Sequence, residues 1–192
     1  MKVETTPLDG VLIVEPDVFE DKRGFFLETF NRKRYAEAGI DRAFVQDNLS
    51  FSTKGTLRGL HFQIGNPQAK LVQVVAGEVF DVAVDIRKGS PTFGKWTGTH
   101  LSGDNKVQFF IPEGFAHGFA VLSETALFVY KCSALYDPDD EGGIIWSDPE
   151  IAIDWPVTDP VVSEKDQRYP PLAELGPEQL PKCGGGAPCG SH

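Results

Sequence analysis

Arg58, His61, Gln63 and Lys70 fall within one short stretch, GTLRGLHFQIGNPQAK (residues 55–70), on a strand-like run and the turn that follows it. An imidazole and two cations gathered on a rigid β framework are the ingredients of a small-molecule site. Histidine titrates close to neutral pH, so His61 is suited to taking a proton from a substrate. Tyr130, on an alternating run further along, offers a phenol as acid. Base, acid and nearby cation together make a proton-transfer set. Singly, each has a plainer reading: a lone histidine in Leu60-His61-Phe62 more often completes a core than performs catalysis. The combination is what points to chemistry.

The elements that must hold these groups read as short strands. Val11–Val14 is a buried run between Gly10 and Pro16, and Phe25–Phe30 resumes after a turn over residues 20–24. Arg32–Ala38 is the one short helix, with Gly39 placed for a left-handed C-terminal cap. Ala43–Phe51 is extended and carries Gln46, Asp47 and Asn48. Phe80, Val82, Val84 and Ile86 alternate with Val79, Asp81, Ala83 and Asp85, the period of a strand. Further strands are expected over Val107–Ile111, Ala116–Leu122 and Ala126–Ser133. Turn signals at such short intervals indicate an all-β sandwich or jelly-roll barrel with little helix. Strict alternation puts Arg58 and His61 on opposite faces. Either Gly59 marks a bulge that re-aims one of them, or Arg58 reaches into a partner subunit's site.

The chain has 192 residues, 41% of them apolar, with 14 Phe, 20 Gly and 14 Pro. One domain over residues 1–170 is expected, followed by a Pro/Gly-rich, peripheral tail over 171–192. The formal charge of −10 and pI near 4.8 argue against nucleic acid as a partner. An anionic ligand is still accessible to local cations, among them Arg23, Arg58, Lys70, Lys165 and Arg168. No run reaches membrane-spanning length and no signal pattern opens the chain, so a reducing cytoplasm is the expectation. Cys132 reads as a buried hydrophobe, and Cys183 with Cys189 as a weak metal or crosslinking pair that the protein does not need.

Pro112-Glu113-Gly114-Phe115-Ala116-His117, entering a strand, resembles the second motif of cupin jelly rolls, whose histidine is a metal ligand in metal-binding members. The first motif is represented by His61-Phe62-Gln63, with glutamine where a second histidine would stand. His61 and His117 alone leave an incomplete shell, so no metal is expected. Residues 55–63, 81–87 (DVAVDIR), 90–94 (SPTFG) and 111–119 together resemble the dTDP-4-dehydrorhamnose 3,5-epimerase family. Asp47-Asn48, Tyr130-Lys131, Tyr136 and Gly143-Ile144-x-Trp146-x-Asp148-Pro149 match in the same order. The resemblance spans roughly residues 3–170.

It implies a cupin-type jelly roll without metal or cofactor, a homodimer, acting on a dTDP-4-keto-6-deoxyhexose. By motif, His61 matches the family's base, Tyr130 its acid, Asp166 the carboxylate orienting the base, and Lys70 the cation near the C4 oxygen. Arg23, Glu28, Gln46, Asp47, Asn48, Arg58, His117, Glu141 and Lys165 match substrate-contacting positions. Phe26 and Tyr136 match aromatic rings that stack on thymine. The chemistry agrees: a C4 ketone acidifies C3 and C5, and the enolate needs a preorganised donor. The diphosphate needs cations. Rival readings are a mono-epimerase or 3,4-ketoisomerase, a metal-dependent cupin oxygenase, and a non-catalytic carbohydrate-binding jelly roll.

Overall fold

The computed structural model describes residues 1–183. In chain order its strands are β1 (Lys2–Thr5), β2 (Leu12–Glu15), β3 (Val18–Asp21), β4 (Gly24–Leu27), β5 (Gln46–Thr53), β6 (Thr56–Gln63) and β7 (Lys70–Ala76). There follow β8 (Glu78–Asp85), β9 (Trp96–Ser102), β10 (Gln108–Ile111), β11 (Phe115–Val121), β12 (Thr125–Cys132), β13 (Glu141–Gly143) and β14 (Val161–Val162). Helix α1 (Arg32–Glu37) lies between β4 and β5, and its N-cap Asn31 accepts from the amides of Lys33 and Arg34.

One sheet has the order β1-β2-β10-β7-β12-β5 and the other β13-β6-β11-β8-β9, with β14 added in parallel to β6. Strands β3 and β4 form a separate hairpin. The two large sheets face one another as a jelly roll of the cupin type, as the strand spacing and the family resemblance led one to expect.

Three apolar layers follow from the strand period. Val72, Val74, Val79, Ala83, Phe109, Phe119 and Phe128 fill the space between the sheets. The alternate residues Val82, Val84, Ile86 and Ala116 point the other way and are covered by Ile144, Ile151, Leu172 and Leu180 from the C-terminal segment. Leu71 and Phe110, on the back of the first sheet, are covered by Tyr35 and Ile40 at helix α1. Both faces are therefore buried over much of β8, β10 and β11, which is why these strands read as almost continuous apolar runs.

The stretch after Pro170, expected to be peripheral, is packed as far as Leu180. Leu172 and Leu180 are buried, and the Leu172 amide donates to the buried Asp148 carboxylate at 2.7 Å. Proline and glycine set the loop character of the segment, but two leucines spaced across it are enough to dock it. Cys132 is a buried free thiol and Cys183 is disulfide-bonded. Cys189 lies outside the described residues. No described helix is long and apolar enough to cross a membrane.

Leu172→Ala or Leu180→Ala should each cost about 2 kcal/mol, the low end for a buried leucine near a surface. Thermal unfolding would read this as a lower Tm, whereas an unchanged Tm would show the segment to be a passive appendage.

Candidate active site

The local event that builds the site is a bulge in β6. Across the β6–β11 pairing His61 stands opposite His117 but Arg58 stands opposite Phe119, so β6 holds one residue more than its partner. Gly59 takes up the difference with φ +123°, and a Cβ there would lie 2.6 Å from Gly118 Cα and 2.8 Å from His117 O. Only glycine fits. The bulge re-aims the strand, so that Arg58 and His61 line one continuous hollow despite their spacing.

The bulge also releases the Gly59 N–H from the ladder. That group donates to Asp166 Oδ2 at 3.2 Å, while His61 Nε2 donates to Asp166 Oδ1 at 2.8 Å. Asp166 is buried, and Ser163 Oγ accepts from its amide at 3.1 Å. Burial alone would raise the Asp166 carboxyl, but hydrogen bonds from His61 and Gly59, with Ser163, hold it below the ordinary aspartate range. An ionised Asp166 fixes the ring of His61 and leaves Nδ1 as the free basic nitrogen. The Tyr169 ring supports the imidazole edge-on, with centroids 5.8 Å apart.

A cavity of about 320 Å³ opens beside His61 between the two sheets. Lys70 from β7 and Tyr130 from β12 enter it from the sheet facing β6. Burial pushes the Lys70 ammonium down and, as the leading cause, pushes the Tyr130 phenol up, so Tyr130 holds its proton at neutral pH. At the rim, Lys165 pairs with Glu141 Oε2, which also accepts from Tyr136 Oη at 2.7 Å. Burial would raise Glu141, but Lys165 and Tyr136 hold it down, with Oε1 4.0 Å from His61 Nδ1.

Gln46 and Asn48 point inward from β5 and line the same cavity. Gln46 Nε2 donates to Asn48 Oδ1 at 3.0 Å, and the Tyr136 amide donates to Gln46 Oε1 at 2.8 Å. Gln63, at the cupin ligand position, is spent on structure. Its amide nitrogen donates to the carbonyls of Asn66 and Leu135, and its oxygen accepts from the Asp137 amide. Among the described residues, no group of three or more His, Cys, Asp or Glu side chains is arranged to hold a metal ion.

Six expected contacts lie outside this cavity, one of them Arg58, which lines the hollow on the other side of His61 and Glu141. Arg23 and Phe26 line a separate surface hollow on the β3–β4 hairpin, where Arg23 pairs with Asp21. Glu28 accepts from Asn31 and Arg34 beside helix α1. Asp47 points outward, because it alternates with Gln46 and Asn48, and pairs with Lys131 at 2.9 Å. His117 is buried beneath the cavity and held by Asp81. Tyr169 and Asp81 were missed as site residues. Asp81 left a signal in the sequence, a carboxylate in a valine-rich strand; Tyr169 left none.

Two facing β-sheets of the cupin type carry His61 on one, held by Asp166 from a 3-10 turn, and Tyr130 and Lys70 on the other, a set of groups that fits an isomerase. Comparison with known proteins narrows the class. A sequence profile described as dTDP-4-dehydrorhamnose 3,5-epimerase matches residues 5–174. The enzyme of that name from Shigella flexneri is 60% identical over 168 residues, covering 86% of this chain and 93% of its own. That from Methanothermobacter thermautotrophicus is 56% identical over 172 residues, covering 88% and 93%. A crystal structure of a dTDP-6-deoxy-D-glucose-3,5-epimerase from Legionella pneumophila in complex with dTDP-4-keto-L-rhamnose superposes with a TM-score of 0.92. It is 55% identical and covers 94% of this chain and 97% of its own. The chain belongs to the dTDP-4-dehydrorhamnose 3,5-epimerase family.

Gly59→Ala should destabilise the fold by about 2 kcal/mol or more, since it adds an unfavourable φ to a backbone clash. It should also abolish turnover by moving both His61 and Asp166. A variant with wild-type Tm and activity would show that the bulge does not hold the pair.

Proposed function

We propose that this chain inverts C3 and C5 of dTDP-4-dehydro-6-deoxy-D-glucose, forming the L-rhamno 4-ketosugar on the route to dTDP-L-rhamnose. In this reading His61 Nδ1 removes the proton from each centre in turn, and Asp166 keeps the ring oriented and supports the imidazolium. The electron pair delocalises onto the C4 oxygen, where Lys70 donates to the enolate. Tyr130 delivers its phenolic proton to the opposite face, and proton exchange with solvent then resets both groups.

The observation that carries the reading is the origin of His61 and Tyr130 on facing sheets with one cavity between them. A base and an acid on opposite sides of a sugar ring are what inversion requires, whereas a binding module has no use for the pair. Lys165, Arg58, Gln46, Asn48, Glu141 and Tyr136 serve in substrate binding, the cations towards the diphosphate.

The same reading takes the protein as a homodimer and residues 1–170 as its catalytic unit. Phe19, Phe25 and Phe26 are exposed on the hairpin, and Leu49 and Phe51 on the outward side of the edge strand β5, with Val45 exposed just before it, Phe26 at 69% and Leu49 at 67%. So much exposed apolar surface on a sheet edge and a projecting hairpin favours a second copy as cover. Arg23, Phe26 and Glu28 would then contact substrate in the partner's cavity, which accounts for their distance from His61.

Proton NMR of the substrate with the protein in deuterium oxide should show deuterium entering at both C3 and C5. His61→Ala should abolish it, a loss of at least about 100-fold for a general base. Exchange at one centre only would mean a mono-epimerase, and none at either centre would sink the enolate chemistry. Tyr130→Phe should still exchange deuterium from the His61 side but fail to invert, whereas inversion at the wild-type rate would remove Tyr130 from its role. Phe26→Ala should raise KM with little change in kcat, and sedimentation should give twice the chain mass. A monomer with full activity would overturn the shared site.

A further inference from the structure

Part of the cavity rim is a loop that apolar packing does little to hold. Residues 133–140 join β12 to β13, and residues 135–139 along it are exposed, Leu135 at 61% and Tyr136 at 49%. Yet this loop brings the Tyr136 ring to the cavity wall, where its Oη donates to Glu141 Oε2. A segment that buries so little apolar surface depends on its hydrogen bonds for a fixed position. Neighbouring side chains supply them. Gln68 Nε2 donates to Ala134 O at 2.9 Å, and Asn66 Nδ2 donates to Leu135 O at 3.3 Å. Gln46 Oε1 accepts from the Tyr136 amide at 2.8 Å.

Gln63 is the centre of this network. It ends β6, is buried, and lines the cavity two residues beyond His61. Its Nε2 donates to Asn66 O at 2.8 Å and to Leu135 O at 3.2 Å, and its Oε1 accepts from the Asp137 amide at 3.1 Å. Carbonyls at one end and an N–H at the other fix which way round the side-chain amide lies. A glutamine that served only its own turn would stop at Asn66. This one grips the residues directly before and after Tyr136. Asp140 reaches back in the opposite direction, its carboxylate accepting from the amides of Ile64, Gly65 and Asn66 at 3.3, 2.7 and 2.7 Å. The turn after β6 and the rim loop therefore hold each other from both sides.

We propose that Gln63 is a positioning residue for substrate binding, whose amide sets residues 135 and 137 so that the Tyr136 ring stands in place before the nucleotide arrives. The inference rests on the epimerase reading above, in which Tyr136 meets the thymine base. An unanchored loop would present the ring only part of the time, and apparent affinity falls by that fraction. The chemical step is spared. His61, Lys70 and Tyr130 sit within paired strands, and Glu141 is held by its own ladder opposite Gln63 in the β6–β13 register. The signature of the role is therefore a change in KM with kcat left nearly alone.

The test compares wild type with Gln63→Met, Tyr136→Ala and the double variant, in turnover of the 4-ketosugar nucleotide and in calorimetric binding of dTDP alone. A wild type that neither inverts the sugar nor binds dTDP would fail the epimerase reading itself. Given an active wild type, Gln63→Met should raise both KM and the Kd for dTDP roughly 10-fold, as expected when binding must order one or two side chains. The kcat should stay within about 2-fold of wild type. In the Tyr136→Ala background the same change should have almost no further effect, because the ring it positions is gone. An unchanged KM, a loss confined to kcat, or effects that add would overturn the proposal. Should Gln63→Met not fold, amide hydrogen exchange in the wild type decides. The Asp137 amide, on an exposed residue, should exchange at least roughly 10-fold slower than a free amide, and equally so with and without dTDP. Protection that comes only with dTDP, or none at all, would show that Gln63 does not set the loop in advance.

Discussion

The carboxylate of Asp166 is the interaction on which the site depends. One oxygen holds His61 and the other the bulged amide of Gly59, so a single buried group ties the imidazole to the irregularity that aims it. Its segment is brought to the barrel by the short β14 strand beside β6. His61 is therefore set by a residue more than a hundred positions away. The cost of burying the charge is offset by the donors His61 and Gly59, since an ionised group inside a protein needs hydrogen-bonding partners.

The same logic runs through an acidic chain that must handle a charged reaction. Net charge is −10, yet Lys70, Lys165 and Arg58 converge on one cleft. Each is governed by local contacts and not by the global field: Lys165 by Glu141, Arg58 by Ser52, and Lys70 by burial and its anionic neighbours. Interior groups interact through a lower effective dielectric than surface charges, so a few near contacts outweigh many distant ones. The hairpin carrying Arg23 and Phe26 stands apart from this cleft, with its aromatics exposed.

Legibility in the sequence followed the strand period. The buried runs at residues 79–86 and 107–111 and the helix at Arg32 all follow from alternation and cap residues. So did the tension between Arg58 and His61, because two residues an odd number apart cannot share a face of a regular strand. Glycine between them named the remedy. The docking of Leu172 and Leu180 was hidden, since a Pro-rich segment looks the same whether it is solvated or laid on an apolar face.

The sequence by itself determined the class of chemistry and the frame that carries it. A histidine, a tyrosine and a lysine in a jelly-roll pattern, with family motifs in order, already pointed to an epimerase ahead of its rivals. Only the tertiary structure decided which groups meet. Asp166 finds His61, Asp81 finds His117, Asp47 turns away to Lys131, and Gln63 is consumed by loop carbonyls. The physical reason is that alternation and propensity act over a few residues. Contacts between strands far apart in sequence are set by sheet order, by one bulge and by the demand that every buried polar group find a partner.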